Sequence, residues 1–242
     1  MSHTLPDYTT KYKMVKIFGQ IDSAELAARL GSLSLLDRRG SVILYDNFEA
    51  AGMSGWKTGF SAGGSCALST TQAFTGNQSM KTVTDVDVGD YSGFHRDFCL
   101  PIERRFATEV MFCITGGKPN IRFGILGYTG TLRLQAQIKY DYNVNKLYYY
   151  NSAGAWVELA IVDSTNITYE PWLFLKVVVD WDKGEYVRLI FCSTEYDLSN
   201  LDIRSFADAS PKHIYVSMIT EAGTAAAATV YFDNFILTQN EP

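Results

Sequence analysis

Val230-Tyr231-Phe232-Asp233-Asn234-Phe235-Ile236-Leu237 stands near the end of the chain, and Val42-Ile43-Leu44-Tyr45-Asp46-Asn47-Phe48-Glu49 stands near residue 40. Both stretches carry Asp-Asn-Phe inside an apolar run. In the earlier one, Val42, Leu44, Asp46 and Phe48 share one face of an extended strand, and Ile43, Tyr45 and Asn47 share the other. Short alternating apolar runs, broken by Gly, Asn, Asp and Ser, fill the space between. Strands are expected near 42–48, 65–71, 78–84, 105–114, 120–127, 131–140, 146–150, 155–162, 172–181, 185–193, 212–220 and 228–238. With no regular helices between them, these runs imply an antiparallel β-sandwich whose first and last strands lie side by side. The stretch 172–181 is apolar on both faces, as in a central strand. Tyr142-Asn143-Val144-Asn145-Lys146 and Asp182-Lys183-Gly184 read as hairpin breaks. No repeat of 20–50 residues is visible.

The composition agrees with one large β-domain. The chain has 242 residues, 47% hydrophobic and 14% aromatic, led by 15 Tyr and 14 Phe. That is enough to bury a sizeable core, and the ring content suits sheets. The net charge of −5 gives no global attraction to nucleic acid or anionic membrane. Charge is uneven, however. Residues 1–40 carry net +2 and the remainder net −7. No stretch approaches the roughly 20 apolar residues of a membrane span. The first residues lack a basic segment followed by an apolar core, so no secretory signal is expected. Cys99, Cys113 and Cys192 each follow a Phe in an apolar run, and with Cys66 they read as buried free thiols. No cysteine or histidine cluster suggests zinc.

Residues 1–40 form a separate arm before a domain spanning 41–242. The arm includes Tyr8, Tyr12 and Phe18 without a steady period. A helix is expected over 22–31, capped by Asp22 or Ser23 with Glu25 in capping-box position and Gly31 past its end. Leu26, Leu30 and Leu33 make its apolar stripe. Ten residues are too few for a stable isolated helix, so the stripe is expected to dock on the sandwich or on a partner, including another copy of the chain.

The Asp46-Asn47-Phe48-Glu49 opening, Trp56, Phe74-Thr75-Gly76-Asn77-Gln78-Ser79-Met80-Lys81, the Lys146–Tyr150 run with Trp156, the segment Trp172 through Gly184 and the Val230–Phe235 close together resemble jelly-roll domains of the concanavalin-like and carbohydrate-binding-module type. The resemblance covers about residues 42–238 and implies a jelly-roll β-sandwich. Leu-Leu-Asp-Arg-Arg-Gly ahead of such a sandwich looks like bacteriophage virion-associated proteins. The arm, the free cysteines and the lack of a catalytic set then favour a non-enzymatic structural protein of a virion, located in the particle or in the cytoplasm before assembly. The alternative is a carbohydrate-binding module, and the second alternative a glycoside hydrolase or lyase of the same fold.

The resemblance also implies a structural Ca²⁺ where first and last strands meet, with Glu49 and Asp233 supplying carboxylates and the carbonyl near Gly76 another oxygen. The bland reading is that these acids cap strand ends or bond amides. For a glycan, flat rings would stack on sugar C–H faces, and the candidates are Trp56, Tyr128, Tyr142, Tyr148, Tyr150 and Trp156. The bland reading there is that such rings cover core edges or an interface. Hydrolase chemistry needs two carboxylates facing across a cleft. The Glu-x-Asp-x-Glu string of sandwich glycosidases is absent, and Asp180-Trp181-Asp182 reads as a turn. Asp85-Val86-Asp87-Val88-Gly89-Asp90 reads as a solvated loop. His3, His95 and His213 are scattered and read as surface or half-buried polar residues.

Overall fold

The computed structural model describes residues 39–53, 55–99, 104–162 and 172–242. The expected 22–31 helix and the arm positions Tyr8, Tyr12, Phe18, Leu26, Leu30 and Leu33 lie outside the described residues. Gly40–Pro242 forms one compact unit.

Two antiparallel sheets face each other. The first contains β1 (Ser41–Asp46), β3 (Ser65–Ser69), β4 (Ser79–Val83), β6 (Arg105–Gly116), β11 (Leu173–Asp180), β12 (Glu185–Phe191), β13 (Thr194–Asp197) and β16 (Thr229–Gln239). Its order is β13-β12-β11-β6-β16-β4-β3, with β1 also on β16. The second contains β2 (Lys57–Phe60), β5 (Tyr91–Phe98), β7 (Pro119–Tyr128), β8 (Leu132–Asp141), β9 (Lys146–Tyr150), β10 (Trp156–Ile161), β14 (Arg204–Ala207) and β15 (His213–Ala222). Its order is β10-β9-β8-β7-β15-β5-β2, with β14 also on β8. This is the jelly-roll-like sandwich that the sequence implies. The expected pairing of first and last strands is present, from Ser41↔Gln239 to Asp46↔Phe235.

The core follows from alternation. Phe106, Val110, Phe112 and Ile114 of β6 point inward, as do Ile121, Phe123 and Ile125 of β7, and Phe94, Phe232, Tyr140 and Met218 join them. Phe112 meets Phe123 at 5.3 Å between centroids, and Phe94 meets Phe232 at 5.3 Å edge-on. Each such side chain contributes about 1.5–3 kcal/mol through burial. Between β6 and β12, β11 is buried along its whole length, as its two apolar faces require. The layers are joined tightly where β6 passes to β7. Gly117 has φ +69 there, and a Cβ would stand 2.6 Å from the Ala227 carbonyl oxygen.

The four cysteines are free thiols. Cys66 and Cys113 are buried, Cys192 is half-buried, and Cys99, expected inside, is exposed. Its position just past the end of β5 takes it out of the sandwich. Asp180 ends β11 in the expected turn, where Oδ1 accepts from Lys183 N–H and Oδ2 lies 3.0 Å from Arg105 Nε.

The last strand changes neighbours midway. On one edge, Thr229–Phe232 pairs with β4, and Phe235–Gln239 pairs with β1. Asp233 and Asn234 sit at the changeover, where the register with β6 also shifts and Asn234 adopts φ 51. Side chains and loop amides close the gap. Asp233 Oδ2 accepts from Phe74 N–H (2.8 Å) and Thr75 N–H (3.1 Å). Asn234 Oδ1 accepts from Tyr45 O–H (3.0 Å) and Thr75 O–H (2.9 Å).

Candidate functional site

The face of the second sheet that points away from the core is the candidate site. With Ile121, Phe123 and Ile125 inward, Asn120, Arg122, Gly124, Leu126 and Tyr128 must point outward. The strand register then sets outward residues from distant parts of the sequence beside one another. Lys57, His95, Ser217, Gly124 and Gln137 form one row across β2, β5, β15, β7 and β8. Next to it run Asp97, Tyr215, Leu126, Gln135 and Arg204, and then His213, Tyr128, Arg133 and Phe206. On the other side run Gly59, Gly93, Ile219, Arg122, Lys139, Tyr148 and Glu158.

The relief of this face comes from side-chain size. Gly124, Ser217, Gly93 and Gly59 make a low floor. Rings stand beyond it. Tyr150 pairs with Trp156 across β9 and β10, and their rings lie 5.0 Å apart. Tyr128 and His213 stack at 4.0 Å and 9°, and His95 stacks on Tyr215 at 5.0 Å. The Trp156 end is held open by a residue of the opposite sheet. Where β8 and β9 diverge, the buried Tyr186 hydroxyl accepts from Gln137 N–H at 2.8 Å and points its proton toward the carbonyls of Tyr150 (2.9 Å) and Gln137 (3.1 Å). A phenol from β12 thus satisfies backbone groups that would otherwise be orphaned, and it fixes where the Tyr150 ring emerges.

Burial holds the His95 imidazole below the usual histidine range, so it is neutral at pH 7. The same cause raises the Tyr128 and Tyr215 phenols, which stay protonated as donors. At His213 the Nδ1–H donates to the Pro211 carbonyl at 2.6 Å, which leaves Nε2 toward Asp97 at 3.9 Å. The acids of the face are engaged. Asp97 pairs with Lys57 (2.9 Å), Glu221 with Arg122 (2.8 Å) and Glu158 with Lys146 (2.7 Å). Asp141 Oδ1 accepts from the Asn143 and Val144 amides in the β8–β9 turn.

Four of the expected ring candidates, Tyr128, Tyr148, Tyr150 and Trp156, share this face. Trp56 does not. It is 6% exposed inside the core, edge-on to Phe94 and Phe235, with Nε1–H donating to Asp46 Oδ2 at 2.9 Å. Tyr142 sits in the β8–β9 turn and packs against the core edge-on to Tyr140. The face also holds Tyr215, Gln137, Arg133, Arg204 and Phe206, which sequence reading did not single out, and His95 and His213, which it read as surface or half-buried polar residues. Only strand register brings them together, and no local spacing signals it.

The junction acids behave as their bland reading expected. Glu49 Oε1 accepts from Asn77 N–H (2.7 Å) and Gln78 N–H (2.8 Å), which holds its carboxyl below the usual range. Asp233 also accepts from Asn234 N–H. Its burial pushes the carboxyl up to about 6 against the pull of these amides, and the Glu49 charge adds to the rise. Among the described residues, no group of three or more His, Cys, Asp or Glu is placed to hold a metal ion. No helix among them is long and apolar enough to cross a membrane.

No protein-family model matches the sequence, and no curated protein matches it significantly. Solved structures do match. Cellulose induced protein, Cip1, is 17% identical, with a TM-score of 0.52 over 81% of this chain and 97% of that one. The endo-β-1,4-glucuronan lyase from the fungus Trichoderma reesei is 13% identical, with a TM-score of 0.53 over 82% and 95%. Lectin UEA-II complexed with galactose is 10% identical, with a TM-score of 0.51 over 82% and 99%. At these identities the likeness establishes the fold, a lectin-like sandwich. The neighbours overturn the reading as a structural virion component, for they include a lectin and a polysaccharide lyase, and phage origin finds no support among them.

Proposed function

We propose that the outward face of the second sheet binds carbohydrate. The observation that carries this is the placing of Trp156, Tyr150, Tyr148 and Tyr128 around a floor of Gly124, Ser217, Gly93 and Gly59 on one sheet face. Ring faces take up the apolar C–H faces of sugars and exclude water, while a few fixed polar groups read hydroxyls. Gln135, Gln137, His95 and Tyr215 are placed to be those groups. The fold shared with a galactose-bound lectin and a glucuronan lyase supports the same reading.

Binding without cleavage fits the engagement of the face's acids. Asp97, Glu221 and Glu158 are each ion-paired, and Asp141 is spent on turn amides, so no pair of them stands ready as acid and nucleophile. Titration of the protein against a panel of soluble polysaccharides, followed by calorimetry, tests the proposal. Trp156→Ala is expected to weaken binding to the best ligand roughly tenfold or more, since covering a large apolar side chain contributes about 1.5–3 kcal/mol, and to leave the melting temperature within a few degrees. A panel with no binder, or a variant that binds like the wild type, would sink it. Reducing-end release from the bound polymer is expected to be absent.

A structural calcium ion belongs to this proposal at the strand junction. Glu49 and Asp233 fit such an ion in charge. Neither carboxylate has a cationic side chain as partner among the described residues, and the Glu49 charge raises the Asp233 carboxyl. The ion would neutralise both, with carbonyl oxygens of the 72–78 loop making up the hard-oxygen set it needs.

A further inference from the structure

We infer that the ligand of this face is an anionic polysaccharide, one whose sugars carry carboxylate or sulfate groups. The inference rests on the carbohydrate reading above and narrows it. It starts from an imbalance. The domain from residue 41 onward is acidic, net −7. Yet the outward side of the second sheet presents Lys57, Arg122, Arg133, Lys139, Lys146 and Arg204 against Asp97, Asp141, Glu158 and Glu221. An acidic protein with a locally basic binding face selects against the sign of its own surface.

Three of these cations matter most. Lys57, Arg122 and Lys146 are neutralised by the acids named above. Lys139, Arg133 and Arg204 have no ion pair among the described residues. Asp208 feels the Arg133 charge, but its Oδ1 caps Ser210 N–H. Instead, all three sit on rings. Lys139 Nζ lies 4.3 Å from the Tyr148 ring centre and 5.2 Å from that of Trp156. The Arg204 guanidinium lies 5.8 Å from Tyr150 and 5.1 Å from Phe206, and its NH1 donates to the Tyr150 hydroxyl at 3.2 Å. The Arg133 guanidinium lies 5.5 Å from Tyr128 and 5.3 Å from Phe206.

A ring seats a cation without cancelling its charge. Each long side chain is therefore already ordered, and apart from the one Arg204 bond to Tyr150 its donors are unspent among the described residues. The Arg133 Nε is buried and without a hydrogen-bond partner. Arg133, Gln135, Gln137 and Lys139 alternate along one edge-to-centre strand, so the outer cations stand about 20 Å apart at the usual strand rise. That spacing spans several sugar units. The pattern of cation, ring and amide along β8 suits a chain that repeats a charge on an otherwise stackable backbone. A neutral glycan would leave three half-buried cations unanswered, a cost that works against it.

The experiment measures affinity of the full chain for polygalacturonate, for its carboxyl-reduced neutral counterpart, for a sulfated galactan and for a single-stranded DNA oligonucleotide, each at low and at raised salt. Polygalacturonate is expected to bind at least tenfold more tightly than the reduced polymer, with the advantage shrinking as salt rises. Binding of the sulfated polymer at similar strength supports the inference and assigns the recognition to charge rather than to carboxylate geometry. Lys139→Gln and Arg204→Gln are each expected to lower polygalacturonate affinity about fivefold or more, with unchanged melting temperature. Arg204→Lys is expected to recover part of that loss. Equal binding of the acidic and reduced polymers overturns the inference and leaves the carbohydrate reading standing. No binding to any polysaccharide overturns both. Oligonucleotide bound as tightly as polygalacturonate overturns it in favour of a general polyanion surface.

Discussion

The two Asp-Asn-Phe triplets do different work with the same three side chains. In the first, Asp46 Oδ1 accepts from Phe48 N–H at 2.9 Å while Oδ2 takes the Trp56 indole, and Phe48 holds φ 56 with its ring buried against Trp56 and Phe94. A left-handed Phe costs on the order of 1–2 kcal/mol, which its burial offsets. In the second, the strained residue is Asn234, and Asp233 is fully buried among loop amides. An acid buried without a cation resists ionisation. Because the Asp233 carboxyl is pushed up to about 6 from an ordinary 3.8, its contribution to stability is complete below about 3.8 and is lost as pH climbs through about 6. Melts in chelator are therefore expected to show stability falling between about pH 4 and 6. Added calcium should raise the melting temperature most at the alkaline end, where Asp233 carries its charge. A melting temperature that ignores both chelator and calcium at every pH would remove the ion from the junction. Asp233→Asn should abolish any calcium response.

Strand β5 shows how an element can be both central to the site and silent in the sequence. Tyr91-Ser92-Gly93-Phe94-His95-Arg96-Asp97-Phe98 has Phe94 in the core, but its outward positions are Gly93, His95 and Asp97. Those are poor strand formers, so alternation is hard to see, and the strand is missing from the expected set along with the short β2, β13 and β14. The legible strands show one of two patterns: β11 is buried along its whole length, and β8 alternates core Leu134, Ala136 and Ile138 with polar Arg133, Gln135 and Gln137. The ring candidates divide on the same principle. Trp56 and Trp156 look alike in composition around them, and only pairing puts one in the core and the other on the face. Gly93 is tightly constrained. A Cβ there would stand 2.5 Å from the Met218 carbonyl oxygen and 3.0 Å from the Ile219 Cα. Gly93→Ala must push β5 from β15, and it is expected to cost about 1–3 kcal/mol, the usual range for overpacking. Denaturant unfolding measures this, and a loss below about 0.5 kcal/mol would show that the two strands yield more freely than their register implies.

At the scale of the whole unit, the ends of the described sandwich are locked by one buried carboxylate. Glu241 lies next to the last residue, yet its side chain is completely buried. Its Oε1 is 2.9 Å from Lys176 Nζ and accepts from the Thr238 hydroxyl at 2.5 Å, and its Oε2 meets Arg188 NH2 at 2.5 Å. Arg188 NH1 also donates to the Pro242 carbonyl at 2.7 Å. These partners come from β11, β12 and β16, so Glu241 ties the final turn of the chain across three strands of the first sheet. Gly40 abuts the same carboxylate, where a Cβ would stand 2.4 Å from Oε1, and β1 begins one residue later. Start and finish of the unit are thus clamped at one point. Lys176 and Arg188 are themselves buried, and removing a buried partner strands charge in a low-dielectric interior. Glu241→Ala is expected to cost about 3–5 kcal/mol, the range for breaking a buried ion pair from one side. An Arg188→Met, Glu241→Leu double variant should recover much of that loss, because both charges then leave together while Lys176 keeps Glu109 at 3.5 Å. Urea unfolding of the wild type and both variants decides the matter. A Glu241→Ala loss under 1 kcal/mol, or a double variant no better than the single, would mean that closure rests on the β1–β16 ladder rather than on this carboxylate.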